Sequence, residues 1–529
     1  MSDTKKASTL KPRILAAAAA SALVLPVIAS IPAPAQAATT RQLTVTVIDR
    51  SGQPAATADV QLLNVGTGTG IDLGTGRHRQ LRPGTYNVAA WIITGTGASQ
   101  TYTLADQIVD LTANKTVVLD ARKGHRVRLS LNNPAASAET LEIAPIVRGN
   151  WAFNPTTIAP PPGAAYVVPM RSKLMTLYVY SVWEKTGNTV ANPSPFRYDI
   201  IHVFRGSIPR SPVMSTRTAQ LTRVNVTVRA TDAAQTAVLG LTPQPSNGVI
   251  VPLNDSETLG ATPAHLVSYR SPGYQWESIL NWDSPAGGFE DNDLNQPVLQ
   301  HRTYSQTFGA AVWSPAPQDG MFAQLDGRQL SVGLPEESFP ISDPTHQTDD
   351  GTGVTKLIRL YRGSDLLKQT HNDQMTVRIP AVSHQYRLTL AATRAAGAQL
   401  STSLRGVWKF MAKGSGSQAS VPTQIYGVQL LPAGLSGRNK AAGGSSTKIA
   451  LRIYGPDTPT QLLLKTVEVW ASANDGATWR KIAVHRAGEH YLVSVRNASA
   501  AGYTSLKVYV ADGHGNSEGL TIIHAYGVR

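Results

Sequence analysis

Cysteine is absent from this 529-residue chain, which excludes disulfide staples, cysteine nucleophiles and thiolate metal sites together. Stability must therefore come from apolar burial and backbone pairing. Beyond about residue 31, no apolar run approaches the roughly 18 uninterrupted residues of a spanning helix, so no membrane span is expected once a leader is removed. Runs of one charge sign are missing too, because lysine and arginine stand mostly singly among strand-forming residues. This excludes a nucleic-acid-binding arm and a polybasic membrane patch. The chain also lacks an H-E-x-x-H pair and a G-x-x-x-x-G-K phosphate loop, and its one G-x-S-x-G string, Gly515 to Gly519, falls at a hairpin turn between strand patterns and not at a strand-to-helix elbow. The G-T-S, H-G-T-H and D-S/T-G contexts of a subtilisin-type triad are absent as well. No catalytic residue is assigned, and a hydrolase with a dispersed active site is the alternative.

What is present begins with an export signal. Lys5, Lys6, Lys11 and Arg13 precede an apolar run from Ile14 to about Ile31, and Ala35-Gln36-Ala37 supplies a small-residue cleavage site. This is the pattern of a secretory signal peptide over 1–37. The mature chain is expected to start near Ala38 and to be secreted. Removing the leader's four basic residues and its one acid, Asp3, lowers the formal charge from +14 to +11. A mild attraction to anionic cell-wall polymer follows from that sign.

The remaining length suggests roughly three to five domains, and short β-patterned runs dominate it. Leu43 to Ile48 alternates apolar and β-branched residues, Asp49-Arg50-Ser51-Gly52-Gln53-Pro54 supplies turn chemistry, and Thr116 to Asp120 closes a unit over 38–124. A β-rich unit is expected over 125–235, interrupted by Pro160-Pro161-Pro162-Gly163, and a second, with longer loops, over 236–420. Lys413 to Ser417 reads as a Gly/Ser linker, and an immunoglobulin-like sandwich follows over 421–529. No segment carries a long helical period. The fold class is all-β, in tandem β-sandwich modules.

Few residues invite a site. Glu290-Asp291-Asn292-Asp293-Leu294-Asn295 places oxygen-bearing side chains at Asp291, Asp293 and Asn295, which could converge on calcium. The EF-hand pattern then fails, because Gln296 stands where glycine belongs and Arg302 where glutamate belongs. A solvated acidic loop is the simpler reading, and no other cofactor is expected. Gly66-Thr67-Gly68-Thr69-Gly70 reads as a flexible loop, since no βαβ pattern surrounds it. Ser472 to Trp479 resembles an Asp-box hairpin with Asn474 in the aspartate position, and Asp512-Gly513-His514-Gly515-Asn516 reads as a hairpin turn. Trp91 and Trp470 lie within apolar strand patterns that favour core packing, which leaves carbohydrate binding as a minor possibility. The 12 histidines show no ligand spacing.

Two resemblances extend this reading. The order V-x-V-x-D-x-x-G-x-P from Val45, then Pro83-Gly84-Thr85-Tyr86, then the closing Thr116 to Asp120, resembles transthyretin-like, carboxypeptidase-regulatory domains. Leu360-Tyr361-Arg362-Gly363, Val407-Trp408-Lys409-Phe410, Val467 to Trp470 with Asp475 to Trp479, and Val510 to Asn516 together resemble the non-catalytic tail of secreted actinobacterial-type subtilisin-like serine peptidases. The tail implies fold and compartment. It carries no activity over, since no position matches that family's catalytic motifs. The partners expected on these grounds are anionic wall polymer or a secreted peptidase.

Overall fold

The computed structural model describes residues 39–529 except 56–57, 74–76, 148–150, 153–155, 159–163, 246–252, 299–301, 317–322, 335–345, 349–350, 417–420, 423–424, 456–463 and 489. The expected signal peptide and the Pro160 to Gly163 break lie outside the described residues. Within them the chain is β throughout, its helical turns being single 3₁₀ turns such as Ala121–Lys123. No helix among the described residues is long and apolar enough to cross a membrane.

Period-2 alternation builds the first sandwich. Leu43, Val45 and Val47 of strand Arg41–Ile48 point inward. They meet Val60, Leu62, Val88 and Ile92 from the facing sheet in one apolar cluster. Each such aliphatic side chain contributes roughly 1.5–3 kcal/mol when fully buried. The facing sheet does not end with this unit. Strand Ala165–Val167 adds to it, parallel to Thr101–Leu111, and His125–Arg126 pairs with Ala165–Val167.

An eight-stranded sheet, called central below, crosses the boundary expected at 235. Its first strands, Ala136–Val147, Met170–Lys185 and Phe196–Ile208, are antiparallel neighbours. Phe196–Ile208 then pairs in parallel with Ala264–Arg270, which pairs with Thr222–Val228, which in turn pairs with Thr303–Phe308. Leu177 and Val179 pack toward the first sandwich with Leu141 and Ile143, while Tyr178, Tyr180 and Val182 pack the opposite way against Trp276 and Leu239. Burial on both faces explains why Leu174 to Trp183 reads as an almost continuous apolar run.

A nine-stranded sheet, called long below, crosses the boundary expected at 420. Along its path lie Asp365–Thr370, Val354–Arg362, His384–Arg394, Ser403–Ala412, Ser517–Val528, Gly502–Asp512, Leu464–Ser472 and Arg480–Ile482. The joint is the antiparallel pairing of Ser403–Ala412 with Ser517–Val528. One face packs first on strands Ala323–Asp326, Gln329–Gly333 and Gln374–Arg378, then on Gly427–Pro432, Ser446–Tyr454 and His490–Arg496. The stretch read as a linker is partly docked, since the Gly414 amide donates to the Pro380 carbonyl at 2.9 Å and the Ser415 amide to that of Gly327 at 2.7 Å.

Polar clasps tie distant segments together. Arg394 makes a two-pronged, buried ion pair with Asp232. Asn439, fully buried, donates to the carbonyls of Ala230 and Gly309 and accepts from the Ala311 amide.

Candidate functional site

The calcium candidate falls inside the fold. Phe289–Pro297 is a strand, and its alternation turns Asp291 and Asp293 to the interior, where they are 0% and 2% exposed. This overturns the reading of a solvated acidic loop. Tertiary pairing with Tyr274–Asp283 and His346–Thr348 outweighs the low strand propensity of Asp and Asn. The side chain of Asn295 lies outside the described residues. Asp291 accepts from the Gly309 amide at 3.0 Å and stands 2.7 Å from Nδ1 of His346. Gln306 donates to Asp293 at 2.6 Å, and Nε2 of the same imidazole stands 3.6 Å away. Among the described residues, no three His, Asp or Glu side chains gather as a metal-ligand set.

These aspartates end a polar chain that sequence reasoning missed. It runs between the central sheet and the sheet of strands Thr236–Pro245, Tyr274–Asp283 and Phe289–Pro297. Arg270 donates to Ser268, Ser278 and Gln306, and Gln306 leads on to Asp293. In the other direction Ser268 donates to Asp199, which also accepts from Arg197 at 2.9 Å and from the Tyr180 hydroxyl at 2.7 Å. Arg197 further faces Glu184 at 3.8 Å and Asp255 at 3.5 Å. Arg197, Asp199 and Arg270 are all 0% exposed. The parallel pairing of Phe196–Ile208 with Ala264–Arg270 sets Asp199 directly beside Arg270.

The electrostatics are those of a closed interior. Burial, together with the Glu184 carboxyl beside it, pushes Glu257 up to about 9, so it holds its proton at neutral pH. Burial pulls Arg270 down to about 10, against the Asp199 and Asp293 charges that favour its cation. In the first sandwich, burial raises Asp106 to about 7 despite its bond from Asn87. The chain holds acids and bases in contact. His346 has a carboxylate at each nitrogen, and His524 sits between Asp475 at 2.8 Å and the Gln399 carbonyl at 3.2 Å. Its chemistry is the clasping of two sheets.

The hairpin motifs behave locally. Ser472 accepts from the amides of Asn474 and Gly476, Asn474 accepts from the Thr478 amide, and Asp475 takes φ 56°. The Trp479 ring lies beneath Gly476, where an added Cβ would meet it at 3.1 Å. Asp512 accepts from the amides of His514 and Asn516, closing the second turn. The glycine stretch at 66–70 is an ordered hairpin, because Asn64 accepts from the Gly66 and Thr67 amides and joins Val60–Asn64 to Thr69–Asp72.

The exposed chemistry lies elsewhere. Trp470 is half-buried, since Val469 takes the inward position and period 2 turns its neighbour outward. Lys507 lies 4.6 Å from the centre of its ring system and Lys481 5.7 Å. Beside them a cleft of about 250 Å³ is lined by residues including Ser472, Thr478, Trp479, Arg480 and Arg496.

No family model and no curated protein matches the chain. Among solved structures, the TIE protein of Bacillus anthracis is 9% identical over 51% of this chain, which spans 50% of that one, with a TM-score of 0.12. A structure of titin domains I67–I69 is 11% identical over 58% of this chain and 97% of its own, at 0.14. An Escherichia coli alpha-2-macroglobulin activated by porcine elastase is 9% identical, covering 93% of this chain and 53% of its own, also at 0.14. These scores carry no statement about activity or partner.

Proposed function

We propose that the chain is an exported, non-catalytic binding protein that docks on anionic cell-wall polymer. The observation that carries the reading is the sorting of charge by the fold. Among the described residues, ten carboxyl groups, from Asp106 to Glu518, are buried, as compared with four lysine or arginine side chains, Arg197, Arg270, Lys356 and Arg394. The surface is therefore more cationic than the composition alone suggests, and long-range attraction to polyanions grows with it. The resemblance to a peptidase tail supports the same compartment and names the competing partner, a secreted peptidase.

The test is retention of the mature protein on purified cell wall and on immobilised culture-supernatant proteins across a salt series. Retention on wall that fades steeply as salt shortens the screening length to about 10 Å at 0.1 M is the expected result. Retention only by one secreted protein, indifferent to salt, overturns wall binding in favour of the accessory role.

A further inference from the structure

We infer that the outer face of the long sheet is the polymer-binding surface, and that its ligand is a linear carboxylate-bearing polysaccharide lying across the strands. The inference rests on the wall-binding reading above. It starts from the burial pattern of Ser403–Ala412, where every second residue from Leu404 is buried and Arg405, Val407, Lys409 and Met411 between them are exposed. Hydrogen-bond register carries that outward set across the neighbouring strands.

One row runs Lys481, Trp470, Lys507, Thr521, Arg405. Its three cations stand on every second strand, hence about 10 Å apart. A second row holds Glu468, Tyr509, Val407 and Arg359. A third brings Lys409 beside Arg387, whose guanidinium lies 4.0 Å from the Tyr361 ring centre. Six cations thus project from these positions against one carboxylate, Glu468, which already pairs with Lys481. Seven inter-strand steps make the face about 34 Å wide. Val407, Met411 and Tyr509 are each 37% exposed, so among the described residues none covers its middle.

The choice of ligand follows from this geometry. The face is an open sheet surface crossed by rows of side chains, which suits an extended chain lying across the strands. Its cations recur at an even interval, which suits an acid group recurring on alternate sugar units. Arginine and lysine give carboxylates charge-assisted hydrogen bonds, and the exposed apolar strips of Val407 and Tyr509 can meet the C–H faces of sugar rings. Nucleic-acid bases are poorly served, because the Trp470 and Tyr361 rings on which they would stack already carry cations.

The experiment measures binding of the full mature chain to polygalacturonate, a neutral dextran and single-stranded DNA. It compares the parent with R405E/K409E and with K115E/K123E, a charge-matched control at exposed positions of the first sandwich. The expected result is binding to polygalacturonate but not to dextran, weakened about tenfold in R405E/K409E with a shallower salt dependence, and near parental in the control. Equal weakening in both variants overturns the assignment of the face while leaving wall binding standing. Preference for DNA overturns the ligand. Failure of the parent to bind either polyuronate or purified wall overturns the underlying reading itself.

Discussion

The central and long sheets are built from the same kind of strand and both join units that the sequence separates, yet they use polar residues in opposite ways. The central sheet is covered on both faces over Ala136–Val147 and Met170–Lys185, and Glu184, Arg197, Asp199 and Arg270 are driven inward into one polar chain. The long sheet is covered on one face, where Lys356, Arg394 and Glu518 are buried, while the cations of its other face, such as Arg405 and Lys409, stand in water. Context sets the worth of a charge. An arginine such as Arg197, with buried Asp199 and Glu184 and half-buried Asp255 around it, neutralises groups largely cut off from solvent. One such as Arg405 is free to meet a ligand.

The largest effect should come from breaking the buried chain. Arg197→Ala leaves Asp199 without its closest cation at a site where both groups have lost water, a situation that costs about 3–5 kcal/mol. A thermal or urea melt should show that loss. A melt within 1 kcal/mol of the parent would mean that water enters the joint and that the central sheet is not closed as described.

A middle-sized effect is expected from Glu257, which is 5% exposed against Glu184. Its folded value of about 9 lies above the ordinary 4.5. The contribution is therefore fully present below pH 4.5 and is lost as pH rises through 9. Glu257→Gln keeps the neutral shape and removes the titration. Melting temperatures recorded between pH 5 and pH 8.5 should fall in the parent and fall by a few degrees less in the variant. Parallel profiles would place the retained proton on another group.

Much of this contrast was legible in the chain, though unevenly. Period-2 patterns marked the strands, and Asn-Asp-Gly and Gly-His-Gly marked two hairpins, because turn chemistry is local. The joints were invisible, since Arg405 meets Thr521 and Asp291 meets His346 only through pairing far apart in sequence. Asp291 and Asp293 were misread because a cluster of acids looks like a loop. Their two-residue spacing after Phe289 was the available signal for an inward polar pair. Trp470 was read as core from its apolar neighbours, when alternation with Val469 turned it outward. Buried Arg197 and Arg270 gave no signal, because a single arginine in a strand looks the same whether its partners come from solvent or from another sheet.

The smallest effect sharpens the comparison most. Arg405→Ala removes the same group as Arg197→Ala, also from a strand interior, but from the exposed face of the long sheet, where no carboxylate among the described residues pairs with it. Water already satisfies its guanidinium in the folded and unfolded chain alike, so deleting it changes neither desolvation nor pairing. The melt should stay within about 0.5 kcal/mol of the parent. Stability and binding are then separable on this sheet, and a weakened polymer interaction in a variant that melts normally is a statement about the surface alone. A loss approaching that of Arg197→Ala would show that Arg405 is held by the fold, and the long sheet would have to be treated like the central one, with its cations spent on structure.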